Sequence, residues 1–170
     1  MIVRFCLNGG PVEVDARTGA SFLDVIRGLG LTGVKAGCRI GVCGVCSVLV
    51  DGLPVSSCLF LAPCADGCDV WTAEGIAQAH PEVTDAFVRC EAMQCGICTP
   101  GQVVAATAAI TELGPGADED ELREYLIGNL CRCTGYNTII AAAREAAARE
   151  AAAREAAARE AATQEAGDVH

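Results

Sequence analysis

The chain has 170 residues, 52% of them hydrophobic, and a formal net charge of −10. That is enough apolar material for one respectable core or two small ones, and it is not the composition of a disordered chain. The acidic balance argues against nucleic acid and anionic membrane as partners, because both are bound largely through Lys and Arg neutralising phosphate.

In chain order, Ile2 to Leu7 is strand-like, Asn8-Gly9 supplies a tight turn, and Val12 and Val14 alternate with Glu13 and Asp15, which predicts an antiparallel hairpin. Ser21 with Asp24 three residues on caps a short helix carrying Phe22, Leu23, Val25, Ile26 and Leu29, ended by the glycines from Gly28 onward. A loop rich in glycine and cysteine runs from Gly37 to Cys46. Strand-like Ser47 to Val50, an Asp51-Gly52 turn, another short strand and strand-like Asp69 to Thr72 follow.

From Glu74 the period becomes helical. Pro81 to Met93 is one predicted helix; Pro100 to Leu113 is a second, with Thr99 as its cap and a stripe of Val103, Ala106, Ile110 and Leu113. Asp118 with Glu121 caps a third, ending near Gly128. The tail repeats Ala-Ala-Ala-Arg-Glu between Ala141 and Glu160, with each Glu four residues before the next Arg. Five residues advance about 500° around a helix, so the charges wind around the axis and a solvated helix or spacer is expected.

Residues 1 to 30 show no leader pattern, and no apolar run approaches the ~20 residues that span a bilayer, so a cytoplasmic location is expected. In a reducing compartment the clustered cysteines among the twelve read as metal ligands rather than disulfides. Cys38-x4-Cys43-x2-Cys46 has the spacing of a plant-type ferredoxin loop, with Cys58 as a distant fourth thiolate. Cys95-x2-Cys98 and Cys131-x-Cys133 form a second set between helices, with Cys98 just before a helix N-terminus that favours added negative charge. Structural zinc is the competing use of four thiolates, but it typically takes short paired spacings. Two [2Fe–2S] clusters and electron transfer are therefore expected.

Cys6, Cys64, Cys68 and Cys90 are left as small buried hydrophobes. The run Gly28-Leu29-Gly30-Leu31-Thr32-Gly33 matches G-x-G-x-x-G but ends a helix instead of opening one, so it reads as a turn. His80 lacks a second nitrogen ligand nearby and reads as structural, and His170 is uninformative. No nucleophile with its base and no phosphate loop is present, so no catalytic residue is assigned.

Gly37-Cys38 through Gly41-Val42-Cys43-Gly44-Val45-Cys46, Gln94-Cys95-Gly96-Ile97-Cys98-Thr99-Pro100-Gly101 and Asn129-Leu130-Cys131-Arg132-Cys133-Thr134-Gly135-Tyr136 together resemble the iron–sulfur subunit of the xanthine oxidase family of molybdenum hydroxylases. The resemblance covers roughly residues 1 to 140, and Val45, where alanine is common, is a minor departure. It implies an α+β chain with a β-grasp, plant-type ferredoxin domain over 1–75 and an all-α, four-helix-bundle-like [2Fe–2S] domain over 76–140; the Ala-rich helical tail expected over 141–170 departs from the family core and takes no role from it.

The resemblance further implies a large partner subunit holding a molybdenum pyranopterin and a flavoprotein subunit holding FAD. The cluster of Cys95, Cys98, Cys131 and Cys133 would lie nearest the molybdenum, and that of Cys38, Cys43, Cys46 and Cys58 toward the flavin. Gln94 and Cys133 would stand against the pterin, and the substrate would be handled in the large chain. A freestanding two-cluster carrier is the alternative.

Overall fold

In the computed structural model, residues 1–167 are described, with side chains described through residue 159; residues 168–170, and with them His170 and the end of the expected tail, lie outside the described residues. The hairpin of β1 (Ile2–Leu7) and β2 (Gly10–Asp15) forms as expected, with Asn8 and Gly9 both at positive φ in its turn. Helix α1 (Phe22–Gly28) follows, and its Ser21 hydroxyl accepts from the Asp24 N–H. Strands β3 (Ser47–Val50), β4 (Leu53–Ser56) and β5 (Asp69–Trp71) complete a five-stranded mixed sheet in the order β2-β1-β5-β3-β4, with β5 parallel to β1 and antiparallel to β3.

All four residues of β3 are buried, and the period of two explains why. Val48 and Val50 face the core beneath α1, with Val3, Phe22 and Ile26, whereas Leu49 faces the opposite side and joins the helical core. At β3 the sheet is thus covered on both faces.

The second half consists of α2 (Ala73–Ala79), α3 (Pro81–Arg89), α4 (Thr99–Leu113), α5 (Glu119–Leu126) and α6 (Asn137–Gly167). The third predicted helix has its complete capping box, with Asp118 and Glu121 bonding reciprocally. The cap of α4 sits one residue earlier than expected, at Cys98, so Pro100 occupies the second helical position, where its missing N–H still costs nothing. Instead of a single stripe, α4 buries Gly101 to Ala106 and Ala108 to Ile110, nearly its whole circumference. It is the central helix, and its alanines and glycine let the neighbours approach closely.

The tail also departs from expectation. Helix α6 starts at Asn137, and Ala142, Ala143, Ala146 and Ala147 are buried against the helical core. Winding of a five-residue repeat matters only over several repeats. Over two turns these four alanines make one continuous stripe, and the charges flanking it find partners on other helices. Arg144 bonds Glu119 at 2.7 Å, and Glu145 accepts from Arg89 Nε at 2.6 Å and from the Cys90 thiol at 3.1 Å. Those contacts hold the Glu145 carboxyl down to about 2, the Cys90 thiol being the largest cause and Arg89 the next. Residues 152–159 are exposed, and there the solvated helix with Glu–Arg pairs at i, i+4 is what is found.

Ala146→Asp is therefore expected to destabilise the fold by about 2–4 kcal/mol, a buried charge without a partner, whereas Ala157→Asp should cost under about 1 kcal/mol. Thermal unfolding of the two variants checks this; equal, small effects would show that the start of the repeat is not part of the core.

Candidate metal centres

The loop from Gly37 to Cys46 wraps backbone N–H groups around sulfur. The N–H groups of Ile40, Val42 and Cys43 point at Cys38 Sγ at 3.5, 3.4 and 3.4 Å, and the Cys38 N–H points at Cys43 Sγ at 3.5 Å. These donors, Ile40 first, pull the Cys38 thiol down to about 6. Arg39 and Gly41 at positive φ make the reversals that turn the N–H groups inward. Cys46 is buried at the base of β3 and stands beside Cys58; burial pushes its thiol up, against the Cys58 N–H, which lowers it, and with the Cys58 thiol, which raises it.

The second set arises where the α4 N-terminus meets the loop between α5 and α6. Cys95 Sγ lies 3.6 Å from Cys133 Sγ, and both are exposed. The Cys95 thiol is lowered by the Ile97 N–H and then by Cys133, whose own thiol is raised in return. Cys98 is buried, which pushes it up to about 12, with Cys131 contributing. Burial also opposes ionisation of Cys131, but the Thr134 hydroxyl, 3.1 Å away, and the N–H groups of Thr134 and Cys133 outweigh it and bring that thiol to about 7.

The eight cysteines singled out by spacing stand as four close pairs: Cys38 with Cys43, Cys46 with Cys58, Cys95 with Cys133 and Cys98 with Cys131. Among the described residues no three His, Cys, Asp or Glu side chains converge tightly enough to hold one ion. A single tetrahedral ion needs four ligands around one point. A two-iron cluster takes two thiolates on each iron, and inward N–H groups stabilise its anionic sulfurs, so paired thiols with backbone donors fit a [2Fe–2S] group at each site. Gln94, next to Cys95, donates its amide N–H to the Cys133 carbonyl at 3.3 Å, on the exposed side of the second site.

The two sites are joined by a buried polar junction that spacing did not identify. The Leu130 N–H donates to the Cys43 carbonyl at 2.9 Å, and Asn129 Nδ2 donates to the Gly44 carbonyl at 3.0 Å. Gln102, fully buried on α4, donates to the Asn129 carbonyl at 2.5 Å, and Tyr136 Oη accepts from the Cys131 N–H at 2.9 Å. Gly44 has φ +70°, and a Cβ there would lie 2.6 Å from the Gly128 carbonyl oxygen; one at Gly101 would lie 2.5 Å from the Gly44 oxygen. Only glycine on both sides lets the loop and the helix touch. Of these residues, Asn129 and Tyr136 lie within a recognised motif, but nothing in a linear pattern marks them, or Gln102, as partners of the first loop.

Of the other cysteines, Cys68 and Cys90 are half-buried and packed against the two cores, whereas Cys64 is exposed on the short turn at Ala62–Ala65 and Cys6 belongs to neither core, so the expectation of core packing holds for only two of the four. His80 bonds Glu82 at 3.3 Å and meets the Trp71 ring edge-on.

Comparison with known proteins agrees with this geometry. The pattern of the 2Fe-2S iron-sulfur cluster binding domain matches residues 5–66, and that of the [2Fe-2S] binding domain matches residues 72–144. The xanthine dehydrogenase iron-sulfur-binding subunit of Escherichia coli O157:H7 is 42% identical over 141 residues, which cover 81% of this chain and 89% of that one. The structure of quinoline 2-oxidoreductase from Pseudomonas putida 86 superimposes with a TM-score of 0.84 at 44% identity, covering 91% of this chain and 96% of the matched one. The aldehyde oxidoreductase of Desulfovibrio desulfuricans ATCC 27774 gives a TM-score of 0.83 at 33% identity; 89% of this chain is covered but only 17% of that much longer one.

Asn129→Ala removes one of three donors to the Gly44 carbonyl, Ser47 keeping the other two, and is expected to cost about 0.5–1.5 kcal/mol. Gly44→Ala should cost at least as much, because both its φ and the backbone opposite resist a Cβ. Denaturant unfolding followed by visible absorbance checks both; unchanged midpoints would show that the junction does not hold the halves together.

Proposed function

The chain belongs to the iron–sulfur subunits of the xanthine dehydrogenase and aldehyde oxidoreductase family of molybdenum hydroxylases, and on that footing we propose that it relays electrons from a molybdenum pyranopterin in a large subunit to FAD in a flavoprotein subunit. Cys38, Cys43, Cys46 and Cys58 hold one [2Fe–2S] cluster, and Cys95, Cys98, Cys131 and Cys133 hold the other. The clusters supply one-electron redox chemistry; the chain orients them, tunes them and keeps them close. Residues 1–75 and 76–140 are the two cluster units, and the first turns of the repeat, through Ala147, pack into the core of the helical one.

The observation that carries this reading is the direct link between the two cysteine sites. From Cys131 one backbone step leads to Leu130, whose N–H bonds the carbonyl of Cys43, a member of the other quartet. A covalent path interrupted by one 2.9 Å hydrogen bond is a short route that a relay between two redox centres can use. The exposed edge at Gln94, Cys95 and Cys133 is the side on which the pterin would stand, where the Gln94 amide, fixed by its bond to Cys133, has a free carbonyl oxygen to offer. No helix among the described residues is long and apolar enough to cross a membrane, which accords with electrons passing between protein subunits.

The complex purified from its native cell tests this. It is expected to contain a large molybdenum-bearing chain, and Cys133→Ser should abolish the paramagnetic signal of one cluster and slow reduction of the other by substrate at least tenfold. Cys64→Ser should leave both signals intact. Equal loss from the two changes would contradict the ligand assignment, and a chain that is stably monomeric in its native cell would contradict the relay.

A further inference from the structure

The loop between α5 and α6 carries a hydroxyl whose direction is set by its neighbours. Thr134 Oγ1 lies 3.1 Å from Cys131 Sγ, and in the chain alone either atom can be the donor. The Tyr136 N–H donates to the same Oγ1 at 3.2 Å, so one lone pair of that oxygen is taken. Once Cys131 is an iron ligand, its sulfur is a thiolate with no proton to give. The Thr134 hydroxyl must then donate and the sulfur accept.

The loop is built to hold this geometry. Gly135 and Tyr136 have φ of +65° and +69°, the second an uncommon conformation for an aromatic residue. This reversal brings the Tyr136 N–H back onto Thr134, while Tyr136 Oη accepts from the Cys131 N–H at 2.9 Å and donates to the Asn129 carbonyl at 3.3 Å. Backbone strain of this kind persists only where the surrounding contacts over-determine it. Cys131 and Thr134 are half-buried, so water competes less for the bond between them than it would at an exposed site. At the first site the hydroxyl of Ser57 gives its proton to the Cys46 carbonyl at 2.7 Å instead.

We propose that Thr134 tunes the second cluster, its hydroxyl donating to Cys131 Sγ and making that cluster easier to reduce. This rests on the ligand assignment of the relay described above. An added electron raises the negative charge on the sulfurs of an iron–sulfur cluster, and a hydrogen bond strengthens as its acceptor becomes more negative. The bond therefore stabilises the reduced form more than the oxidised one. The N–H groups of Cys133 and Thr134 also point at Cys131, but any residue other than proline would keep them, and only the hydroxyl depends on the side chain at 134. In the relay this cluster receives electrons first, so Thr134 acts on their entry.

The test is a redox titration of the native complex followed by electron paramagnetic resonance, with four irons per chain as the measure of intact clusters. The signal that Cys133→Ser removes identifies the second cluster. Thr134→Val keeps the shape and loses the hydroxyl; Thr134→Ser keeps the hydroxyl and loses a methyl. Expected for Thr134→Val is a tenfold fall in the reduction equilibrium constant of the second cluster, about −59 mV for one electron, with the first cluster unmoved. Thr134→Ser should move the second cluster less than half as far. An unmoved second cluster in Thr134→Val overturns the proposal, and so does an equal fall in both clusters or in Thr134→Ser. Should Thr134→Val load fewer than four irons, Thr134→Ala takes its place, with the same expected fall and the same contrary results. An unsubstituted chain without two cluster signals would contradict the relay and the tuning together, whereas two signals at unmoved potentials would contradict the tuning alone.

Discussion

The hydrogen bond from Asn129 to the Gly44 carbonyl is the constraint on which the rest of the structure turns. It fixes a loop that has almost no secondary structure of its own against the loop of another domain, and it is buried, so neither partner can turn to water instead. Gln102 holds Asn129 from the central helix, and Ser47 Oγ, bonded to the same Gly44 carbonyl, anchors the arrangement to β3. Each cysteine quartet is thereby set against the other by the same atoms that unite the two cores.

Local features of the chain were legible in sequence because each arises from near neighbours. The Asn8-Gly9 hairpin, the Ser21 and Asp118 caps and the Pro100 helix start all follow from contacts within four residues, and the cysteine spacings singled out the eight thiols that stand in close pairs. The pairing within each quartet, Cys95 with Cys133 and Cys98 with Cys131, was not legible, since it depends on how the α5–α6 loop meets the start of α4. The same holds for Gln102, whose polar side chain in an apolar helix looks like a solvent-facing residue until Asn129, twenty-seven positions away, is placed opposite it. In the alanine repeat, periodicity misled over residues 142–147, because small side chains pack wherever a neighbouring helix leaves a groove, whatever the longer-range winding.

The electrostatics divide along the same line as the folds. Backbone N–H groups converge on Cys38, an arrangement that favours negative charge on sulfur, while Cys46 and Cys98 sit where burial opposes it. Each quartet therefore has a polar side and a dry side. Beyond the loops both halves are acidic, the helical one more so: residues 76–140 carry nine carboxylates against three arginines, and residues 1–75 seven against five cations.

The central claim is that two [2Fe–2S] clusters lie close together, joined through the Leu130–Cys43 bond. Electron paramagnetic resonance of the fully reduced chain tests it most directly. Two distinct signals of equal intensity, each split by the other at low temperature, are expected, together with four irons per chain. A single signal, or a colourless protein loaded with zinc, would contradict the account.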